Sequence, residues 1–347
     1  MRILIVGSTH VAALEQTYHR YFREWGAESE IFDARQPVGW IHSLPKKGVN
    51  AIRRFLPSTG LGAVNTLLLE KVRQWKPEVV WVFKGMEVLP STLNRLRGQV
   101  PLLASYNPDH PFQFTGPGSG NALMTRSLPL YHAHLTYQEA IADRLRAETG
   151  LPVACVPFGF DLDEPTWDAV AGLPEIVRVG FVGNADAERA AAIQTLLAAG
   201  LPVDVFGGGW SKYLSDFSGL RVFKPVFGKE FWEKMHVYRV QLNLLRPHNE
   251  GSHNMRSFDI PGAGGVQLAP DSREHRSFFA DNQEIFLFSS PEEMLSKARI
   301  LLSLSGEKAE QARQAARTRS LDAGYHYKDR AMEVLHFFQE CIRKKNG

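Results

Sequence analysis

The sequence has little cysteine, no long apolar run and little net charge, and each shortage excludes a class of protein. Its 347 residues include two cysteines, Cys155 and Cys341, which lie far apart without a Cys or His partner at metal-binding spacing. Disulfides and structural zinc are therefore not expected, and a reduced, cytoplasmic chain is the simplest interpretation. No apolar run approaches a membrane span, and the apolar part of MRILIVGSTH is too short for the core of a signal peptide.

Composition and charge favour a globular chain with a small ligand. The formal charge is +3, hydrophobic residues make up 44% and charged residues 22% of the sequence. This charge is too weak to indicate a nucleic-acid partner, so none is expected. It does suit an anionic small ligand in a local basic pocket. The length exceeds that of one α/β core and suits two domains.

The first half of the chain alternates apolar runs with helical periodicity. RILIVG at 2–7 ends in glycine and precedes apolar residues at helical spacing, which predicts a strand, a tight turn and a helix. Continuous apolar strands alternating with helices indicate a parallel sheet covered on both faces, here in an N-terminal domain over 1–160. Its further strands are predicted at 79–83, 101–106 and 153–157, and its further helices near 63–75, 89–97 and 137–149.

The alternation restarts after an acidic, proline-containing break at 159–175. A C-terminal domain is predicted over 161–330, and 331–347 form a last helix for which we consider packing against the N-terminal domain. The predicted fold class is α/β, with two doubly wound Rossmann-like domains facing each other across a cleft. Strands of the second domain are predicted at 176–183, 203–207, 221–223, 241–245, 266–269 and 285–288, and helices near 187–199, 229–238, 291–304, 308–321 and 328–344.

Ligands of such sheets bind beyond the carboxyl ends of the strands, so the loops there are the candidate site. The first strand of the second domain ends at Gly183 and Asn184, and the second runs into three glycines that include Gly208. Glycine lets the backbone approach a ligand, but it equally allows an ordinary turn. After the third strand, Lys224 and Val226 lie on an apolar edge that suits a planar base, or in a plain strand-to-helix turn.

The stretch HNMRSFDIPGAGG at 253–265 places opposite charges one helical turn apart, just ahead of a glycine cluster. Ser252 or Asn254 can cap a helix that begins there, Arg256 adds a forked cation, and Asp259 lies on the same flank. The helix start and the arginine suit a diphosphate, and an ionised carboxylate can accept from both hydroxyls of a ribose. The alternative is a solvated surface ion pair, worth roughly a few tenths of a kcal/mol.

Four segments, taken in order, resemble one family of enzymes. They read VGFVGNADAERAAAI, PVDVFGGGW, LNLLRPHNEGSHNMRSFDIPGAGGVQLAPDSREHRSFFADNQEIFLFSSPEEML and AGYHYKDR. Over about residues 176–335 they resemble the C-terminal half of two-domain, B-fold (GT-B) glycosyltransferases, most closely the spore-maturation CgeB-like group. The resemblance implies a nucleotide-diphospho-sugar donor in the C-terminal domain. The N-terminal half matches only loosely, as expected for the side that holds a variable acceptor.

The resemblance also implies roles for donor-site residues. Asp259 falls where the family has the acidic residue that holds the donor ribose. Arg256 and the turn at Gly264 and Gly265 fall near the diphosphate. Gly183, Asn184, Gly208, Lys224 and Val226 complete the predicted donor side.

In the family, sugar hydroxyls are bound at the positions where this chain has Glu250, His253 and Asn254. We also count Ser257 among the donor-binding residues. The chain departs from the family pattern in two respects. Its second acid, Asp259, replaces a glutamate, and the spacing from Glu250 is one residue longer than in the broader retaining superfamily. The role of Glu250 and the retention of anomeric configuration therefore stay open.

The first domain carries candidates for the acceptor side. Asp109 and His110 directly follow a predicted strand, which makes them candidates for a catalytic base or for orienting an acceptor hydroxyl. The alternative is that Asp109 caps a turn beside two prolines. His10 also follows a strand, where it can reach the cleft or cap a turn. The basic, aromatic stretch 40–56 is interpreted as a solvated face with a buried stripe, or as a guard of the acceptor entrance.

The function predicted is a metal-independent glycosyltransferase of hexosyltransferase type, with retention of configuration favoured over inversion. No cofactor is expected beyond the nucleotide-sugar donor, and the acceptor is a glycan, a protein or a small molecule. Asp161 and Asp163 lie in the interdomain linker and are interpreted as a turn, while His326 and Arg330 are expected to pack the last helix. The alternatives are a nucleotide-sugar epimerase on the same fold and a non-catalytic two-domain sugar or nucleotide binder.

Overall fold

Two separate units of α/β structure make up the described part of the chain. The computed structural model describes residues 1–11, 13–34, 59–113, 120–214, 217–246 and 251–346. The first unit comprises Met1–Pro157 with Tyr327–Gly347, and the second comprises Phe158–His326. The basic stretch 40–56 lies outside the described residues. Among the described helices, none is both long enough and apolar enough to cross a membrane.

The first unit is built on a parallel sheet with the described strand order β2-β1-β3-β4-β5-β6. Its apolar strands are buried along their length, as expected for a parallel sheet covered on both faces. The strands are β1 (Arg2–Gly7), β2 (Glu28–Asp33), β3 (Val79–Phe83), β4 (Leu102–Asn107), β5 (Ala133–Thr136) and β6 (Val153–Cys155). The helices are α1 (Leu14–Glu24), α2 (Thr59–Trp75), α3 (Pro90–Gln99), α4 (Ala122–Ser127), α5 (Glu139–Thr149) and, at the chain end, α13 (Tyr327–Asn346).

An aromatic core joins the last helix to the first unit. Trp81 on β3 is fully buried, with Tyr18 of α1 edge-on at 5.0 Å and Phe338 of α13 edge-on at 5.5 Å between ring centroids. Edge-to-face contacts at this distance add to the area that the rings bury. Helix α13 therefore belongs to the core of the first unit, although the whole second unit separates it from that unit in sequence.

The second unit repeats the plan with its own parallel sheet and its own core. The strands are β7 (Ile176–Val182), β8 (Val203–Phe206), β9 (Leu220–Phe223), β10 (Tyr238–Leu242), β11 (Gln267–Pro270) and β12 (Phe286–Phe288). The helices are α6 (Glu164–Val170), α7 (Ala187–Ala198), α8 (Gly228–Val237), α9 (Arg256–Gly262), α10 (Arg273–Phe278), α11 (Pro291–Leu302) and α12 (Gly306–Asp322).

The strand order of the second unit determines where a ligand can bind. The strands lie in the order β9-β8-β7-β10-β11-β12, so the chain winds outward from β7 on one side and from β10 on the other. The crevice between these two strands, beyond their carboxyl ends, is the switch point at which open α/β sheets hold ligands. The prediction of two doubly wound parallel sheets is confirmed.

Several described elements were not expected from the sequence, among them the short helices α4 and α10. The edge strand β2 reads ESEIFD, and its three carboxylates hide its strand character. Strand β5 has four residues and carries His134, which is fully buried and lies 2.6 Å from the Ser105 hydroxyl of β4. Helix α6 lies inside the segment predicted to be an irregular break.

Candidate functional site

At the switch point of the second unit, two loops pack directly against each other. A Cβ on Gly207 would lie 2.1 Å from the carbonyl oxygen of Gly183, so only glycine fits there. The Gly208 amide donates to Asn184 Oδ1 over 2.9 Å, and the Ala185 amide donates to the Gly208 carbonyl over 2.9 Å. Gly183 and Gly208, predicted to let a ligand approach, thus bring the two loops together. Ligand contact by these residues and by the exposed Asn184 stays a prediction.

Three arginines lie near one another beyond the ends of β7 and β10. Arg189, in the first turn of α7, donates to the carbonyl of Asn184 over 3.1 Å and to that of Leu244 over 3.2 Å. Burial lowers the pKa of Arg189, and the positive charges of Arg246 and Arg256 lower it further, against the opposing effect of a nearby aspartate. Asp186 and Asp259 pair with Arg189 and Arg256, and the three guanidinium groups together still suit a bound polyanion.

Sequence reasoning did not assign Arg189 or Arg246 to the site. Each had a positional signal: Arg189 is one turn into the helix that follows the first strand of the unit, and Arg246 lies just past β10. Only the fold shows that these positions adjoin, because β7 and β10 are neighbours in the sheet but are separated by two further strands in sequence.

Arg256 and Asp259 form an ion pair in which the carboxylate is buried and the guanidinium is half-buried. The Arg256 Nη1 lies 2.6 Å from Asp259 Oδ2, and Asp259 is only 5% exposed. The guanidinium also lies over the ring of Phe231, 4.4 Å from its centroid. Burial raises the pKa of Asp259 to about 6, while Arg256 acts in the opposite direction and Asp161 adds a small rise. A solvated surface pair, the alternative considered above, is therefore excluded.

A buried hydrogen-bond network fixes the turn that carries Arg256. His275 Nδ1 lies 2.8 Å from the Pro270 carbonyl and donates to it, so Nε2 accepts from the Ser257 hydroxyl over 2.7 Å. Burial lowers the pKa of His275 to about 4, which keeps the ring neutral at physiological pH. Asn254 Oδ1 accepts from the Ser257 amide over 3.1 Å, and Asn254 Nδ2 donates to Asn243 Oδ1 over 2.8 Å.

This network changes the interpretation of two predicted donor residues. Ser257 is fully buried, with its hydroxyl bonded to His275, and its assignment to the donor site stays a prediction. Asn254 is half-buried and holds the helix start through its oxygen. A sugar contact by Asn254 stays a prediction, and Ser257 helps to fix the turn that carries Arg256.

The ring of His253 lies in the protein interior and is bonded to protein groups. Its Nδ1 lies 2.6 Å from Glu274 Oε2, its Nε2 accepts from the Phe158 amide over 3.3 Å, and the residue is fully buried. Both ring nitrogens face protein groups in this structure, and the sugar contact expected of His253 stays a prediction. Glu250, the other acid of the predicted site, lies outside the described residues.

Gly264 and Gly265 are buried by the protein itself. A Cβ on Gly265 would lie 2.2 Å from the Met235 carbonyl and 2.7 Å from the Ile260 side chain. Gly264 has a φ of 60° and faces the ring of Trp167, 3.3 Å from where its Cβ would stand. The absence of a side chain at both positions therefore allows close packing within the protein, and a contact of their backbone with a diphosphate stays a prediction.

The segment after β9 presents an apolar surface to solvent. Phe223 is 41% exposed and stacks on Phe206 at 4.7 Å with an interplanar angle of 12°, and Phe227 is 71% exposed. Lys224 is exposed between them, whereas Val226 is 7% exposed and faces inward. A base that lies on this edge would contact Phe227 more readily than the predicted Val226 side chain.

The predicted acceptor-side pair lies at the carboxyl end of β4 in the first unit. Asp109 Oδ2 is 2.5 Å from the Lys84 ammonium, and the Asp109 amide donates to Asn107 Oδ1 over 3.0 Å. His110 Nδ1 accepts from the Phe112 amide over 3.1 Å, which is a local turn contact. The assignment of Asp109 and His110 to catalysis stays a prediction.

A cavity of about 260 Å³ opens beside this pair within the first unit. It lies beyond the carboxyl ends of β1, β3 and β4, and its lining includes His10, Lys84 and Pro108. Because β1 and β3 are neighbours with connections leaving on opposite sides, this is the switch point of the first sheet.

Asp163, predicted to lie in a linker turn, begins a helix of the second unit. Asp163 Oδ1 accepts from the Thr166 amide over 2.9 Å and caps α6. His326 packs edge-on against Phe160 at 5.0 Å between centroids. Arg330 is buried on α13 and pairs with Glu333. Within the ranges that the structure describes, no group of three or more His, Cys, Asp or Glu side chains could hold a metal ion.

Comparison with known proteins agrees with this architecture. Residues 189–336 match the model of a family described as glycosyl transferase-like. No curated protein shows significant sequence similarity to the chain. The matched segment contains Arg189, Arg246, Arg256 and Asp259 of the second unit.

Solved structures of low identity share the fold over nearly the whole chain. A sucrose-phosphate synthase from Thermosynechococcus elongatus is 10% identical, with a TM-score of 0.68, 99% of this chain and 100% of that chain covered. A glycosyltransferase from Rickettsia africae is 9% identical, with a TM-score of 0.65 and 98% of each chain covered. An E. coli structure titled trehalose-6-phosphate, bound with UDP-2-fluoro glucose, is 13% identical, with a TM-score of 0.62, 98% of this chain and 99% of that chain covered. The chain therefore has the GT-B fold of two Rossmann-like domains.

Proposed function

We propose that this protein is a glycosyltransferase that moves a sugar from a nucleotide-diphosphate donor to an acceptor hydroxyl. The observation that carries the proposal is the set of three arginines, Arg189, Arg246 and Arg256, at the switch point of the second unit. The match of residues 189–336 to the glycosyl transferase-like family supports the reaction class. Membership of the CgeB-like group and a hexose as the transferred sugar belong to the same proposal.

The arginines supply what the chemistry of the leaving group requires. Glycosyl transfer develops positive charge at the sugar, while the nucleotide diphosphate leaves with negative charge. Fixed guanidinium groups aimed at the diphosphate stabilise that charge in the transition state, so the proposed reaction needs no metal ion. Retention of configuration is the proposed outcome, and the anomeric signals of the product in proton NMR distinguish it from inversion.

The remaining donor contacts follow from the geometry of the second unit. Asp259 would accept from the ribose hydroxyls, with Arg256 holding its carboxylate in place at 2.6 Å. The base would lie on the exposed edge at Phe227 and Lys224. The acceptor would occupy the cavity of the first unit, where Asp109 and His110 remain the proposed catalytic side chains.

A nucleotide-sugar epimerase is the second candidate. A structure titled as a UDP-N-acetylglucosamine 2-epimerase from Listeria monocytogenes has a TM-score of 0.58 at 12% identity, with 96% of this chain and 94% of that chain covered. The same fold therefore occurs in a protein of that title, which keeps this candidate open. A non-catalytic nucleotide or sugar binder is the third.

Incubation of the protein with a panel of nucleotide sugars separates the three candidates. With an acceptor mixture present, we expect release of free nucleoside diphosphate together with a glycosylated acceptor, followed by liquid chromatography and mass spectrometry. A changed sugar still attached to its nucleotide would identify an epimerase. Saturable binding without any turnover would identify a binder and contradict the proposal.

A further inference from the structure

Three side chains that donate hydrogen bonds lie near one another at the amino ends of β4 and β5, on the edge of the first sheet opposite the cavity. His132 directly precedes β5, Arg97 lies in the last turn of α3 and Lys345 in the last turn of α13. The Lys345 ammonium lies 3.1 Å from His132 Nε2 and donates to the Pro101 carbonyl over 3.0 Å. Arg97 Nη1 donates to the Pro129 carbonyl over 2.7 Å. The proposed sugar transfer uses none of these three side chains.

The backbone fixes the position of the proton on the His132 ring. His132 Nδ1 accepts from the Leu103 amide over 2.9 Å, and the His132 amide donates to the Leu103 carbonyl over 2.8 Å. Because a neutral imidazole carries one proton, that proton is on Nε2 and faces Lys345. Burial, followed by the positive charges of Lys345 and Arg97, lowers the pKa of His132 to about 4, so the ring is neutral at physiological pH. Two N–H donors, one on the ring and one on the ammonium, therefore face each other.

Within the part of the chain that the structure describes, no carboxylate balances the positive charge of this cluster. The charges that act on the pKa of His132 are those of Lys345 and Arg97. Partial burial lowers the pKa of Lys345, and the charge of Arg97 lowers it further. A cation in the last turn of a helix is common, because the helix C-terminus carries partial negative charge. That preference accounts for Arg97 and Lys345 taken singly, but not for the two donors that face each other.

We propose that Arg97, His132 and Lys345 bind a phosphate group, at a site separate from the nucleotide-sugar site of the second unit. A phosphate monoester carries about 1.5 to 2 negative charges at neutral pH and has three terminal oxygens. These oxygens can accept from the imidazole N–H, the ammonium and the guanidinium fork, and the charge matches that of the two cations. A carboxylate, with two oxygens and one charge, matches the cluster less well.

Titration of the full chain with inorganic phosphate, followed at His132 by NMR, tests the site. Histidine side chains are labelled with carbon-13, and the His132 Cε1–H signal is identified by its loss in H132Q. The ionic strength is held constant with chloride, so that general screening does not change. We expect a saturable shift of this signal in the wild type. In R97M/K345M we expect phosphate binding weaker by about tenfold or more, because two charge-assisted contacts are lost.

The matched control is R95M/K344M, which removes two exposed positive charges from the same two helices. Its affinity for phosphate is expected to equal that of the wild type. Thermal unfolding of both double variants shows whether each is folded. The His132 signal reports on the first unit, so phosphate bound by the arginines of the second unit does not produce the expected shift. The absence of a saturable shift in the wild type, or equal weakening in both double variants, would overturn the inference.

Sedimentation with lipid vesicles separates two sources of the phosphate group. The vesicles contain phosphatidic acid in phosphatidylcholine, and vesicles of phosphatidylcholine alone serve as the blank. Co-sedimentation that R97M/K345M loses and R95M/K344M keeps identifies a lipid headgroup as the ligand. Phosphate binding at His132 without co-sedimentation identifies a soluble phosphate compound. Both results support a phosphate site in the first unit.

Discussion

At the scale of single residues, two opposing effects set the pKa of Asp259. Burial raises its pKa to about 6, and Arg256 at 2.6 Å limits the rise. At neutral pH the carboxylate is therefore mostly ionised but poorly solvated, which makes it a strong acceptor for donor hydroxyls. The proposed ribose contact uses this property, because a ribose hydroxyl would donate the hydrogen bond that a buried carboxylate does not receive from water.

The raised pKa of Asp259 predicts a specific dependence of stability on pH. A carboxyl group whose folded pKa exceeds its ordinary 3.8 stabilises the fold at low pH and loses that contribution as the pH rises through about 6. We expect the free energy of unfolding of the wild type to fall relative to D259N by about 2–3 kcal/mol between pH 4 and pH 7, because a tenfold difference in proton affinity corresponds to about 1.4 kcal/mol. Urea denaturation of both proteins at several pH values measures this difference. Parallel pH profiles would contradict the burial argument.

At the scale of elements, helix α9 is held in place by polar contacts on one side and by glycines on the other. The network of Asn243, Asn254, Ser257 and His275 fixes its start. Gly262 lies against the ring of Phe160, where a Cβ would come within 2.4 Å, and Gly265 lies against the Met235 carbonyl. The glycine cluster, which the sequence suggested as a ligand contact, thus allows close packing of α9 and of the turn that follows it. Arg256 and Asp259 extend from this helix.

G265A separates packing from ligand contact at this turn. A Cβ at 2.2 Å from a carbonyl oxygen forces the backbone to move, so we expect a loss of about 1–3 kcal/mol in the free energy of unfolding. The control is G306A, at the first position of α12, where no heavy atom lies within 4 Å of the added Cβ. Its stability should equal or slightly exceed that of the wild type. Unchanged stability of G265A together with lost nucleotide affinity would restore the ligand interpretation.

At the scale of the whole molecule, the sequence predicts the fold better than the site. Buried parallel strands are continuous apolar runs, so β1, β3, β7 and their neighbours are recognisable, whereas the charged edge strand β2 is not. Helix α6 does carry a sequence signal, an aspartate cap followed by a proline in the first turn, within a segment whose acidic composition indicated a break.

The site was predictable only where a side chain had one plausible environment. The Arg256–Asp259 pair was identified, but sequence spacing encodes neither the burial of its carboxylate nor the contact of Arg256 with Phe231. His253 and Gly265 looked like ligand residues because polar and small residues also suit a binding loop, and only the fold shows what they face. Arg189 was missed because one of its partners, the Leu244 carbonyl, lies 55 residues further along the chain.

The most direct test of the donor site is calorimetric titration of nucleoside diphosphates into the full chain with a chelator present. We expect saturable binding by the wild type without added metal, and binding weaker by about tenfold in R246M, because an exposed guanidinium contact to phosphate is lost. R299M removes an exposed arginine from α11 of the same unit and should bind as the wild type does. Equal affinity of R246M and wild type, or binding that appears only when a divalent metal is added, would contradict the account.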